Sequence, residues 1–156
     1  MPTVQFDIPA DHKYLSVLGT AVSAFVENIG DATLAYSVQL AIHEVCANII
    51  DHAYENPTPE NHVTVQLTLD EVRQEMVAAI TDQGEAFDPL SREWPLATVW
   101  QPVETGNGPV FLLTQVAEPD LEQERGRGMF MIWQLMDEVI YQPRANQNLW
   151  RLTRRF

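Results

Sequence analysis

Cysteine is almost absent from this chain of 156 residues: Cys46 stands alone, which excludes a disulfide framework and a cysteine-based zinc site. The four histidines, His12, His43, His52 and His62, include no pair four residues apart such as a helical metal site uses. No apolar run approaches the ~20 residues of a membrane span, and the stretch up to Tyr14 has no signal-peptide form. A cytoplasmic protein without membrane contact is the expectation. Basic residues are few as well, nine Lys and Arg against twenty-two Asp and Glu, for a net charge of −13. Residues 1–124 hold only three of the basic groups and twenty of the acidic ones, whereas residues 125–156 hold six arginines against Asp137 and Glu138. An acidic field of this size repels DNA, RNA and anionic membrane, because such affinity rests on neutralising phosphates. An anionic ligand would have to be held locally, by backbone N–H groups, a metal ion or the late arginines.

What is present is an ordinary globular balance, 46% hydrophobic and 20% charged, over a length that suits one domain spanning 1–156. Val4 to Ile8 alternates apolar and polar and then meets Pro9, as a first strand does. Asp11 can cap a helix whose apolar positions Tyr14, Leu15, Leu18, Val22, Phe25, Val26 and Ile29 keep a 3.6-residue period, with Gly30 ending it. A longer helix is expected over roughly 31–54, stopped by Asn56-Pro57. Val63–Leu69 and Met76–Ile80 read as a hairpin. Gly128–Asp137 reads as a helix, and Val139–Tyr141 and Leu149–Thr153 as closing strands. Residues 82–125 are rich in proline, carry Trp94 and Trp100 and show no convincing periodicity. A segment this long without elements is usually functional, so 90–125 is expected to be a lid. The order of elements suggests an α+β two-layer sandwich with a mostly antiparallel sheet and helices on one face.

Three stretches carry chemistry. Glu44, Asn48 and His52 fall at i, i+4 and i+8, one polar stripe on a helix otherwise built of Ile, Val, Ala and Cys. The stripe is either a solvated face or the lining of a polar cavity. A carboxamide oxygen suits Mg²⁺, and a carboxylate one turn away can take a proton from an attacking hydroxyl. Asp82-Gln83-Gly84 follows a strand directly. Such a sequence often makes only a turn, but an ionised Asp also accepts from an exocyclic amine, and Gly allows close approach to a flat base. Gly126-Arg127-Gly128-Met129 opens a helix, where free N–H groups favour phosphate; alone, it reads equally as a hinge. Cys46, on the apolar side of its helix, is expected to be buried and inert, and Asp88 to cap its own loop.

Together, Glu44-x-x-x-Asn48, Asp82-x-Gly84-x-x-Phe87-Asp88-Pro89 and Gly126-Arg127-Gly128-Met129 resemble the N-box and the two glycine boxes of the GHKL ATPase superfamily. Within it the similarity is to the anti-sigma-factor serine/threonine kinases, including His52-Ala53-Tyr54 and the last strand with Leu152-Thr153. The resemblance implies a Bergerat-type sandwich binding ATP·Mg²⁺ between the long helix and the lid. It implies Glu44 as general base, Asn48 as magnesium ligand and His52 in the nucleotide pocket. Asp82 would accept from the adenine amine, Gly84 would shape the base pocket, and Thr153 would lie near the adenine. Gly126, Arg127, Gly128 and Met129 would sit over the phosphates. Implied partners are a STAS-domain anti-anti-sigma-type protein as phosphoryl acceptor, a sigma factor or other regulator, and a second copy in a homodimer. An ATP-responsive sequestering module with little or no transfer activity is the alternative. The ATPase part of a two-component histidine kinase fits less well, since no phospho-acceptor helix is evident. The long Pro- and Trp-rich connection 90–124 and the absence of Gly-Thr in Ala145–Trp150 depart from the family pattern.

Overall fold

The computed structural model describes the chain except Gly30, Arg92, Glu93, Pro95, Leu96, Glu124 and Arg125. The expected helix terminator Gly30 and six residues of the expected lid, Glu124-Arg125 before the glycine motif among them, therefore lie outside the described residues.

Seven strands, β1 (Thr3–Pro9), β2 (His62–Asp70), β3 (Glu75–Asp82), β4 (Thr98–Thr105), β5 (Gly108–Val116), β6 (Glu138–Gln142) and β7 (Asn148–Arg155), form one sheet in the order β1-β2-β3-β7-β6-β5-β4. Every neighbouring pair is antiparallel. Helices α1 (Leu15–Glu27), α2 (Ala32–His52) and α3 (Arg127–Leu135) complete the sandwich. The period-2 burial of β2 and β3 shows why: Val63, Val65, Leu67 and Leu69, with Met76, Ala78 and Ile80, are buried on one face, and the intervening residues are not. Helix α2 crosses β3 and β7, α3 lies over β5 and β6, and α1 packs on α2.

Local chemistry sets the helix ends. Asp11 accepts from Lys13 N–H and opens a 3-10 turn ahead of α1, while Asp31 Oδ1 accepts from the N–H groups of Thr33 and Leu34 and caps α2. At the far end, Tyr54 Oη donates to the His62 carbonyl and accepts from Gln83 N–H, both at 2.9 Å. One phenol thus ties the exit of α2 to the start of β2 and the end of β3. Burial pushes its acidity down, the Gln83 N–H partly opposing this.

The segment 82–125, expected to lack elements, contains the β4–β5 hairpin. It closes at Gly108, whose φ of 99° suits glycine, and carries a bulge between Val99 and Trp100. The hairpin evades pattern reading for a physical reason. As an edge strand β4 buries only Trp100, so nothing selects alternation, and an edge also tolerates Pro102. Trp100 and Phe111 are core residues at 5% and 8% exposure.

Leu67 is wholly buried at the centre of β2, whereas Leu121 is fully exposed. Leu67→Ala is expected to cost about 2–5 kcal/mol in urea denaturation, and Leu121→Ala to stay within about 0.5 kcal/mol of the parent.

Candidate functional site

A cleft of about 870 Å³ runs along the exposed side of α2, lined among others by Glu44, Asn48, His52, Phe87, Trp94, Gly126, Gly128, Met129 and Trp150. Helical geometry explains the arrangement. Glu44, Asn48 and His52 share one face of α2 while Val45, Cys46, Ile49 and Ile50 point into the core. The polar stripe thus lines a cavity.

At one end of the cleft α3 meets the stripe. Gly126, the N-cap of α3, has a φ of 80° and no side chain with which to cap the helix, so the first N–H groups turn its positive dipole end toward the Glu44 end of the cleft. Gly128 is where the approach is tightest: a Cβ there would lie 2.7 Å from Glu44 Oε2. Asn48 Nδ2 faces Met129 Sδ at 3.8 Å, a weak contact that leaves Oδ1 uncommitted to it. Arg127 lines the cleft as well, with its side chain held from behind. Its guanidinium donates to the carbonyls of Asp120 and Leu121, at 3.0 and 3.2 Å, and its Nε to that of Gln123. It straps down the chain that precedes α3, an arrangement favoured because bare carbonyls are good partners for a planar fork of donors.

The other end is aromatic. Phe87 contacts His52, Trp94, Tyr141 and Trp150 with ring centroids 5.7–6.5 Å apart. Its backbone N–H donates to Tyr141 Oη at 2.9 Å, and burial pushes that phenol up to about 12. Asp88 Oδ1 accepts from Leu90 N–H at 3.0 Å, capping its loop as expected. Trp150 had no sequence signal beyond strand alternation, and Trp94 is recognisable only as a tryptophan in a long connection.

Beneath this end lies Asp82, 3% exposed. Oδ1 accepts from Gly84 N–H at 2.9 Å and from Asn148 Nδ2 at 3.1 Å, while buried Oδ2 has no hydrogen-bond partner among the described residues. Desolvation raises the pKa of the carboxyl above its ordinary value, against the pull of the two hydrogen bonds. Neither Asp82 nor Gly84 lines the cleft wall. Gly84 owes its identity to the backbone: a Cβ would fall 2.4 Å from the Ala53 carbonyl oxygen, and Glu85 N–H donates to that same oxygen at 2.7 Å. Cys46 is buried and pushed up to about 12 by desolvation first and the Asp82 charge second, as an inert core thiol should be.

Thr153 requires a correction. It pairs with Val77 and Glu138, five residues along β3 from Asp82, and strand alternation puts it on the sheet face opposite Trp150 and Leu152. The residue opposite Asp82 is Asn148. The resemblance aligned a threonine that the register carries away from the site.

With this geometry in hand, the class is clear. Residues 8–154 match the family described as the histidine kinase-like ATPase domain, and the chain belongs to it. Serine-protein kinase RsbW of Bacillus velezensis is 28% identical over 146 residues, 91% of this chain and 79% of that protein. RsbW of Bacillus licheniformis is 27% identical over 140 residues, 87% and 75% respectively. The crystal structure of the RsbU and RsbW domains of a Mycobacterium tuberculosis protein shares the fold across 99% of this chain with a TM-score of 0.63 at 17% identity. This chain spans 32% of that one. Among the described residues no helix is long and apolar enough to cross a membrane, and no group of three or more His, Cys, Asp or Glu is placed to hold a metal.

Two outcomes follow from the floor of the site. Gly84→Ala must displace backbone and is expected to cost about 1–3 kcal/mol in urea denaturation, whereas Gly106→Ala meets nothing within 4 Å and should not. Because the folded Asp82 carboxyl titrates above its unfolded value, its contribution to stability is present in acid and lost as pH rises through the folded value. Asp82→Asn should therefore raise the denaturation midpoint at pH 7, and the gain should shrink as pH falls toward the ordinary carboxylate range.

Proposed function

We propose that the chain is an ATP-dependent serine/threonine protein kinase of the anti-sigma-factor type, acting on a STAS-domain protein and holding a sigma factor or similar regulator in check. The observation that carries this reading is the polarity of the cleft. Glu44 and His52 are eight residues apart on α2, about 12 Å along the axis. The Glu44 end faces glycines and an uncapped helix start, and the His52 end faces rings of Phe87, Trp94 and Trp150. A nucleoside triphosphate has the same polarity, anionic at one end and flat and apolar at the other. In a chain of net charge −13, tetra-anionic phosphate needs the local N–H groups that α3 supplies.

The donor set also fits Mg²⁺. Asn48 would hold it through Oδ1, a hard neutral oxygen, and the metal would supply charge neutralisation at the phosphates when bound. Glu44 would accept the proton of the attacking serine or threonine hydroxyl as its oxygen bonds to the γ-phosphorus and the bond to the bridging oxygen of ADP breaks. Gly128 matters here because any side chain at that position would push on the Glu44 carboxylate. Arg127, strapped to the preceding carbonyls, would act on the phosphates only after release from them.

The decisive measurement is transfer from labelled ATP·Mg²⁺ to candidate STAS-domain proteins. Phosphoserine or phosphothreonine on one of them supports the kinase; nucleotide-dependent complex formation without transfer supports a sequestering module instead. Glu44→Ala is expected to lose about 10²–10⁴-fold in transfer while still binding ATP. Asn48→Ala, or omission of magnesium, is expected to weaken ATP binding at least about tenfold by calorimetry.

A further inference from the structure

Asn148 belongs to no motif, yet it sits opposite Asp82 across the β3–β7 pair and is 2% exposed. Its Nδ2 donates to Asp82 Oδ1 at 3.1 Å and to the Gly84 carbonyl at 3.0 Å. Both amide hydrogens are thereby used, and the orientation of the group is set: turned over, its oxygen would face two acceptors with no hydrogen between them. What remains is a pair of buried acceptors. Asn148 Oδ1 and Asp82 Oδ2 each have no hydrogen-bond partner among the described residues. An unpaired buried acceptor forfeits the hydrogen bonds it made to water, so two on paired strands favour a ligand that brings hydrogens to them. The two acceptors lie behind the cleft wall, on the same sheet face as Trp150, which is two residues along β7 and forms part of that wall, so a base reaches them by displacing part of it.

We propose that Asn148 determines base specificity: it orients the Asp82 carboxylate and adds a second acceptor beside it, so the ligand must present an amino group with both hydrogens free. This rests on the nucleotide reading above. A carbonyl at that point of the base would set a third acceptor against two. A singly methylated amine would satisfy Asp82 or Asn148 but not both. The two analogues therefore separate the contributions of the two residues.

The test is equilibrium binding of ATP, N6-methyl-ATP and inosine triphosphate to the full chain. The parent is expected to bind ATP about tenfold or more tighter than either analogue. In Asn148→Leu the preference over N6-methyl-ATP should fall to about twofold, while that over inosine triphosphate, kept by Asp82, persists. Leucine nearly conserves volume, so rejection of the methyl group on size alone would survive the substitution and overturn the proposal. Asn148→Ala serves in its place if the leucine variant does not fold. Equal affinity of the parent for ATP and N6-methyl-ATP overturns the proposal without any variant. Binding of none of the three nucleotides would show that the nucleotide reading itself has failed, and the proposal with it.

Discussion

A carboxylate buried with one oxygen unpaired is the constraint around which this molecule is organised. Asp82 ends β3 at 3% exposure, and its neighbours are arranged to make that tolerable: Gly84 N–H and the Asn148 amide hold one oxygen. To bring Gly84 into place the chain passes so close to the end of α2 that only glycine fits against the Ala53 carbonyl. Tyr54, at that same helix end, reaches over to hold Gln83 N–H. The charge weakens the fold by its desolvation. A site that accepts such a cost without completing its hydrogen bonds is one shaped for something other than stability.

The cleft above it draws on both layers of the sandwich. Helix α2 supplies Glu44, Asn48 and His52 on a single face because buried residues from Leu34 to Ile50, about four and a half turns, anchor its other face to β3 and β7. Helix α3 brings its N-terminus onto the first two of these, and the absence of a side chain at Gly128 is what permits the contact. The aromatic residues Phe87, Trp94, Trp100, Tyr141 and Trp150 form a continuous cluster from the loop after β3, through β4, to β6 and β7. The hairpin β4–β5 is thereby joined to the site: Trp100 packs on both Tyr141 and Trp150, so one buried residue of an otherwise exposed edge strand reaches the cleft's aromatic end.

The electrostatics place the work on backbone groups. The chain is strongly acidic, and Arg127, between the two glycines, turns its Nε and Nη2 donors to the carbonyls of Asp120, Leu121 and Gln123. In the nucleotide reading proposed above, the phosphates would meet the start of α3 itself. In the same reading, selectivity at the other end would fall to the pairing of Asp82 with Asn148, residues 66 apart in sequence on neighbouring strands.

Periodicity alone determined much of this protein. The 3.6-residue pattern of α1 and α2 and the alternation of β1, β2 and β3 report burial of one face, and burial of one face is what makes such elements stable. The polar stripe Glu44-Asn48-His52 was legible for the same reason, since three polar residues at helical spacing in an apolar helix must point one way. The hairpin was not legible, because an edge strand that buries one residue leaves no alternation to read. The direction of the Arg127 guanidinium, the close approach that demands glycine at 84 and the partner of Asp82 were decided only by tertiary structure. Strand register is the physical reason in the last case: β7 could meet β3 at several offsets with Leu152 and Trp150 still buried, and only the assembled sheet puts Asn148, and not Thr153, beside the buried carboxylate.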